Sequence, residues 1–344
     1  MTKKKNKSLL DQILYLVNSL AAILLLLSYL LPYISPTKAP TFAVLSLVVP
    51  ILIFTNIIFA VFWLAQLKRK FFLSTLVIVL GFGHLSSLYQ FSSKEVIQED
   101  DISIMSYNVR MFNHYGWSSN DSISTKTYKF IREKHPNILV MQEFYNDPEI
   151  GFEYPYRYLK TKGKKNIFGL VIYSDFPIIS SGSLDLEDSA NNIIYADLKI
   201  DQDTIRIYNI HLESLGLKPN KENFGESDSD KLLSRMKSAF KKQGYQTKQF
   251  LEHQEQWTGK SIVCGDFNNT AFSWVYDQIS EDRQDAFKIA GSGSGKSFDY
   301  ALPLRIDFIL PDQSFEVNQY ETFDLDYSDH FPIYARLSLT DKSE

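Results

Sequence analysis

The chain predicts an α/β domain carried behind a membrane-spanning segment, and three observations lead there. First, composition changes near residue 92: three long apolar runs, at about 9–33, 41–66 and 71–91, precede it and none follows. Second, the remainder alternates short apolar strands with helical spacings. Third, residues 261–270, SIVCGDFNNT, read as a buried strand that turns at Gly265 and presents Asp266 and Asn268 just beyond it. The carboxyl ends of strands are where α/β proteins place their chemistry.

Each apolar run is about 20 residues or more, enough to cross roughly 30 Å of hydrocarbon. No small-residue cleavage site follows the first, which disfavours a signal peptide. Lys3, Lys4, Lys5 and Lys7 precede the first run, and Lys68, Arg69 and Lys70 separate the second from the third; only Lys38 lies between the first two. Basic residues stay on the cytoplasmic side. The N-terminus is therefore expected inside and residues after the third run outside, as in an integral protein of a bacterial inner membrane. That orientation hinges on the third run, the least apolar, which carries Gly81, Gly83, His84, Ser86 and Ser87.

Charge and cysteine content narrow the function. Residues 101–344 hold 27 Lys or Arg against 36 Asp or Glu, a net of −9. An acidic domain gains little from sequence-independent attraction to polyanions, which counts against a broad nucleic-acid surface. Cys264 is the single cysteine, so no intramolecular disulfide forms and the domain depends on its core. Its place in the central strand reads as a small buried apolar residue.

In chain order, 93–100 is a polar linker. Residues 102–109 alternate into a first strand ending at Asn108. Residues 122–135 form a helix stopped by Pro136, and 138–142 form a strand that delivers Glu143. A carboxylate at the end of the strand ILVMQ is costly to bury without a partner, and a cation is the simplest one. Residues 155–158 and 168–174 suggest two further strands. Residues 193–200 and 204–210 form a hairpin about 201–203, whose second arm leads to Asn209, His211 and Glu213. A polar loop at 216–229 precedes a basic helix at about 230–256, read as a solvated face or as a lid beside the site. Residues 274–279 form a short helix. GSGSGKS at 291–297 fails as a phosphate-binding P-loop, because three residues rather than four separate Gly291 from Gly295-Lys296. Residues 304–310, LRIDFIL, form a strand with Asp307 in its middle. Residues 327–333, with Asp329 and His330 side by side, precede the last strand at 334–339.

The polar residues gathered at apolar strand ends are Asn108, Glu143, His211, Asp266, Asn268, Asp307, Asp329 and His330. The acids suit a hard divalent cation that keeps water and substrate oxygens. The histidines suit proton transfer or phosphate contacts. No GxSxG nucleophile motif and no CxxC or HExxH zinc pattern is present. The combination points to metal-assisted hydrolysis by water at phosphorus.

SYNVR, MQE, NIHLES, GDFN, RIDFIL and SDHFP resemble, in order and spacing, the motifs of the endonuclease/exonuclease/phosphatase superfamily with its deoxyribonuclease-I-like fold, over about residues 101–340. The resemblance implies a four-layer α/β sandwich of two packed β-sheets flanked by helices, here behind three transmembrane helices: 1–92 as anchor, 93–100 as linker, 101–344 as catalytic domain. It implies that Glu143, with Asn108 and Asp329, holds Mg²⁺ or Mn²⁺. Asp266 positions or deprotonates the attacking water, Asn268 helps hold it, His330 and His211 contact the phosphate, and Asp307 orients His330. Some family nucleases carry an acid two residues after the first-strand Asn; here that position is Arg110, which puts a second metal ligand there in doubt. The expected function is a membrane-anchored phosphoesterase acting on a phospholipid head group, a small phosphate ester or nucleic acid. Its one expected partner besides substrate is the lipid bilayer, through residues 9–91, with no obligate protein partner. Two other readings stand beside it: an extracytoplasmic nuclease, and an inactive membrane-tethered binding module.

Overall fold

The computed structural model describes residues 9–147, 151–162, 168–216, 226–300 and 304–340. The N-terminal part holds α1 (Leu9–Ser28), α2 (Pro40–Leu45), α3 (Val49–Ala65), α4 (Phe71–Leu80) and α5 (Phe82–Leu88). Two stretches, Leu9–Tyr33 and Pro40–Ala65, are long and apolar enough to cross a membrane. The third run differs from expectation. It breaks into α4 and α5 at 78°, and α4 alone, with 10 residues, reaches only about 15 Å. The expected three continuous spans are thus two plus a bent pair. The bend falls at Gly81, in the small and polar half of the run. Beyond it, contacts to the α/β part hold the chain: Arg305 Nη2 donates to the Ser87 carbonyl at 3.3 Å, and Gln90 pairs with Gly293.

Inside the bundle the polar residues find one another. Asn18 Nδ2 donates to Ser74 Oγ (2.6 Å), Ser74 Oγ to Asn56 Oδ1 (3.0 Å), and Trp63 Nε1 to Asn18 Oδ1 (2.8 Å). Among apolar helices such bonds hold neighbours together. One end of the bundle is closed by Lys68 and Lys70 on Asp11 (2.8 and 3.6 Å). Towards the other end, Tyr29 Oη–H donates to the Val77 carbonyl at 2.9 Å.

The α/β part contains β1 (Ile102–Asn108), α6 (Ile123–Lys134), β2 (Ile138–Tyr145), β3 (Tyr156–Lys162), β4 (Phe168–Ser174), β5 (Ile178–Ser183), β6 (Ile193–Ile200), β7 (Asp203–His211), α7 (Glu226–Gln254), β8 (Lys260–Asp266), α8 (Trp274–Ser280), α9 (Ala286–Ala290), β9 (Asp307–Pro311), β10 (Phe315–Thr322) and β11 (Ile333–Leu339). One sheet runs β10-β11-β1-β2-β4-β3 and the other β5-β6-β7-β8-β9. The pairs β1–β2 and β7–β8 are parallel and their remaining neighbours antiparallel. Period-two alternation builds the layers. Ile104, Val140, Ile172, Ala196, Ile207, Ile262 and Cys264 fill the space between the sheets. Met105, Leu139 and Val171 pack outward with Tyr128 and Ile131 of α6, while Tyr208, Val263 and Phe308 pack outward with Phe250 of α7 and Val275 of α8. This is a four-layer sandwich.

Local departures have tertiary causes. Strand β9 starts at Asp307 rather than carrying it mid-strand. The expected loop 216–229 lies mostly outside the described residues, and its last part is already helix α7. Strands β5 and β10 were not anticipated, because Ser-rich IISSGS and polar FEVNQYET lack a clear apolar alternation. The expected linker is not loose: Lys94 Nζ donates to Glu316 and to the Val317 carbonyl (both 2.8 Å), and Val96 N–H to the Asn318 carbonyl (3.0 Å). It covers the edge strand β10, which would otherwise present unpaired backbone groups.

The two parts share apolar packing. Phe272 joins Leu25, Leu31, Val49 and Ile53 of the bundle. Ala43, Val44 and Leu47 pack on Leu215, Met236 and Phe240.

Candidate active site

Three strands bring one face to the same end of the sandwich. Ile104, Ser106 and Asn108 alternate inward on β1; Ile207, Asn209 and His211 do so on β7; and Ile262, Cys264 and Asp266 on β8. Each series begins apolar in the core and ends polar at the site. Register then lines up residues across strands: His211 pairs with Asp266, and Asp266 with Asp307. Gly265 makes the close passage possible, since a Cβ there would lie 2.0 Å from the Ile210 carbonyl oxygen. On β2, Glu143 follows the inward-facing Gln142 and by simple alternation would face outward. An irregularity between Met141 and Phe144, with Glu143 at φ 48°, re-aims it.

All eight residues singled out from the sequence meet here. Asn108 Nδ2 donates to Asp266 Oδ2 at 3.0 Å and lies 3.5 Å from Glu143 Oε1. Asn268 donates to Asp266 twice, from its backbone N–H (2.7 Å) and its amide (3.2 Å). The Nε2 atoms of His211 and His330 stand 3.5 and 3.6 Å from Asp266 Oδ2, and His330 Nδ1 bonds Asp307 Oδ2 at 3.0 Å. Asp329 lines the same cleft as Glu143, Asp266, Asn268 and His330. Its Oδ2 also pairs with Arg110 Nη1 at 3.1 Å.

Burial sets the protonation. It pushes the His211 imidazole down to about 3, helped by the nearby His330 charge, so His211 is neutral. Burial opposes charge on His330 too, but the Asp307 and Asp266 carboxylates outweigh it and raise the group to about 10, so it stays protonated. Burial raises Asp266, against the pull of His330 and with the push of Asp307. It also raises Glu143, with Asp329 adding to the effect.

Several supporting residues escaped the sequence reading. Ser297 Oγ accepts from the backbone N–H of Ile306 and Asp307 (both 3.0 Å), fixing the start of β9. Ser328 Oγ–H donates to the Asn108 carbonyl (2.8 Å) and ties the Asp329–His330 turn to β1. Phe298 packs on the His330 ring. Behind the site, Gln142 and Asn209 join across the sheets at 2.7 Å. The Asn209–His211 alternation was the one available signal for that link. Residues 110–113 form a turn whose four residues all take positive φ, and its first residue is Arg110.

The donor set fits a divalent cation. Among the described residues Glu143 has one long amide contact, from Asn108 Nδ2, and Asp307 Oδ1 is buried with no hydrogen-bond partner. Ligand atoms of Asp266, Asp307 and His330 lie within 4.8 Å of one another. That trio is the poorer cage for Mg²⁺, because His330 already spends Nδ1 on Asp307 and a hard cation prefers oxygen. The oxygens of Glu143 and Asp329, with Asn108 beside them, suit it better.

The chain is similar to several proteins of known structure. A structure of the human Nocturnin catalytic domain with bound sulfate is similar at 18% identity and a TM-score of 0.51, over 71% of this chain and 97% of that one. The Bacteroides thetaiotaomicron mannosyl-6-phosphatase Bt3783 gives 18% and 0.48, over 69% and 100%. D. rerio TDP2 complexed with single-strand DNA product gives 13% and 0.49, over 70% and 100%. No curated protein matches the chain. A profile described only as a domain of unknown function matches residues 11–88. The profile of the Endonuclease/Exonuclease/phosphatase family matches residues 105–330, about two-thirds of the sequence, and the chain belongs to that family.

Proposed function

We propose that the protein is a membrane-anchored, divalent-metal-dependent phosphoesterase, with 1–92 as anchor and 101–344 as a hydrolytic domain outside the cytoplasm. The observation that carries the chemistry is the convergence of Asn108, Glu143, His211, Asp266, Asn268, Asp307, Asp329 and His330 on one cleft. Glu143, Asn108 and Asp329 would hold Mg²⁺ or Mn²⁺, which when bound neutralises charge on the phosphoryl oxygens. Asp266, fixed by Asn108 and Asn268, orients a water and takes its proton. His330, kept charged by Asp307, and the neutral His211, both beside Asp266, would contact the phosphoryl group. The anchor reading rests on two long apolar helices. The orientation needs the bent pair α4–α5 to serve as one crossing. It is supported by Lys68 and Lys70, which pair with Asp11 at the start of α1, while Phe272 of the α/β part packs near the other end of that helix with Leu25 and Leu31.

The test is hydrolysis by the full chain in detergent of bis(p-nitrophenyl) phosphate, p-nitrophenyl phosphate and single-stranded DNA, with Mg²⁺, Mn²⁺ or EDTA. EDTA-sensitive turnover is expected; no turnover with either metal overturns the reading in favour of a binding module. Orientation has its own test. A cysteine at the exposed Ser119 should react with a membrane-impermeant thiol reagent in spheroplasts, and protection there reverses the assignment.

A further inference from the structure

One wall of the cleft comes from the helical segment. Leu47, in the turn between α2 and α3, lines it together with Leu215, Phe298, Leu304 and Ile306, in the same cleft as Glu143, Asp266, Asp329 and His330. Leu47 is only partly buried and packs on Leu215. Its neighbours Leu45, Val48 and Ile51 are exposed, at 47%, 37% and 41%. They continue the bare apolar flank of α3 through Phe54 and Ile58. An apolar path therefore runs from the outer surface of a long apolar helix into a cleft floored by carboxylates and imidazole.

This wall is held in place. Helix α7 carries Gly244 where the α1–α2 loop crosses it, and a Cβ there would lie 2.8 Å from Thr37 Cγ2 and 2.9 Å from Pro36 Cγ. Phe272, six residues after Asp266, is buried and packs in the apolar cluster of the bundle. The loop leaving the site and the segment bearing Leu47 are thus fastened to the same helices.

A water-soluble phosphate ester has no use for such a wall. An amphiphile does, because its phosphate suits the polar floor and its chain gains by leaving water along Leu47. We propose that the substrate is a lipid phosphate ester, taken from the bilayer with its hydrocarbon chain lying along Leu47 and the α3 flank. The inference rests on the phosphoesterase reading and names its substrate class.

The test uses full-length protein in mixed micelles with Mg²⁺ and acyl-matched pairs: dihexanoyl and dioleoyl forms of phosphatidic acid, phosphatidylglycerol and phosphatidylcholine. At least one dioleoyl member should be hydrolysed with kcat/KM ten-fold or more above its dihexanoyl partner. Leu47→Gln should lower that ratio at least five-fold, and Leu47→Met should keep it. A wild-type ratio near one overturns the inference without any variant. So does a ratio unmoved by Leu47→Gln at unchanged Tm, or cleavage of DNA or small esters with no lipid turned over. Those results leave the phosphoesterase reading standing; absence of all phosphoester hydrolysis removes both.

Discussion

In the helical segment the buried polar groups are neutral and paired: Asn18, Asn56 and Ser74 bond one another or a neighbouring backbone. At the sheet ends the buried groups are ionisable and crowded, the Asp266 and Asp307 carboxylates standing against the His211 and His330 imidazoles. Exposure runs the other way. Among the described residues, large exposed apolar side chains number 32 before residue 101 and six after it. The first region carries the surface that the proposed membrane reading requires, with neutral polar pairs joining its helices inside. The second buries its apolar residues and keeps unbalanced charge where it can act.

The contrast breaks most sharply at the charged end. His330→Ala and Asp266→Asn should each lower phosphoester turnover by about two to four orders of magnitude, the usual worth of a charge aimed at the transition state or of a general base. Near-UV circular dichroism should stay unchanged; turnover within ten-fold of wild type would refute the roles given to them. Next, Mg²⁺ at about one hundred times its Kd should stabilise the protein by roughly 2.7 kcal/mol, read as a rise in Tm. Glu143→Gln should abolish the rise, and an equal rise in that variant would move the ion elsewhere.

The neutral network sharpens the comparison from the other side. Asn56→Leu leaves Ser74 and the Ala21 carbonyl without that partner and should cost about 1–3 kcal/mol in detergent. Hydrolysis of bis(p-nitrophenyl) phosphate should stay within two-fold, since Asn56 lies in the bundle; a large loss of turnover would tie network and site together. The smallest effect is a null. Burial pushes the Cys264 thiol up, so an aromatic disulfide reagent should label none of it in the native protein and all of it in guanidinium. Native labelling would show that β8 is not the closed core strand described above.

Most of the site was legible because a strand is a ruler. Alternation carries an apolar series to a polar end, and Asn108, His211 and Asp266 each stand at that end of a recognisable run. Glu143 was legible by its position after ILVMQ, although the bulge that aims it inward was not. The bend at Gly81 and the anchoring of 94–96 on β10 stayed hidden because distant tertiary contacts decide them. Leu47 and Phe272 gave no signal at all. Each is an ordinary apolar residue in an apolar setting, and only the fold places one in the cleft and the other in the bundle.

The pinned stretch at 94–96 has a consequence for how such an enzyme would search. A catalytic head on a slack leash sweeps a hemisphere, and its encounter rate follows bulk concentration. Here the leash has no slack. Under the proposed membrane reading the cleft stays at one fixed height and explores only a plane. For a lipid substrate in the same bilayer, turnover then scales with molecules per unit area of surface, and diluting the vesicles at constant composition leaves it unchanged.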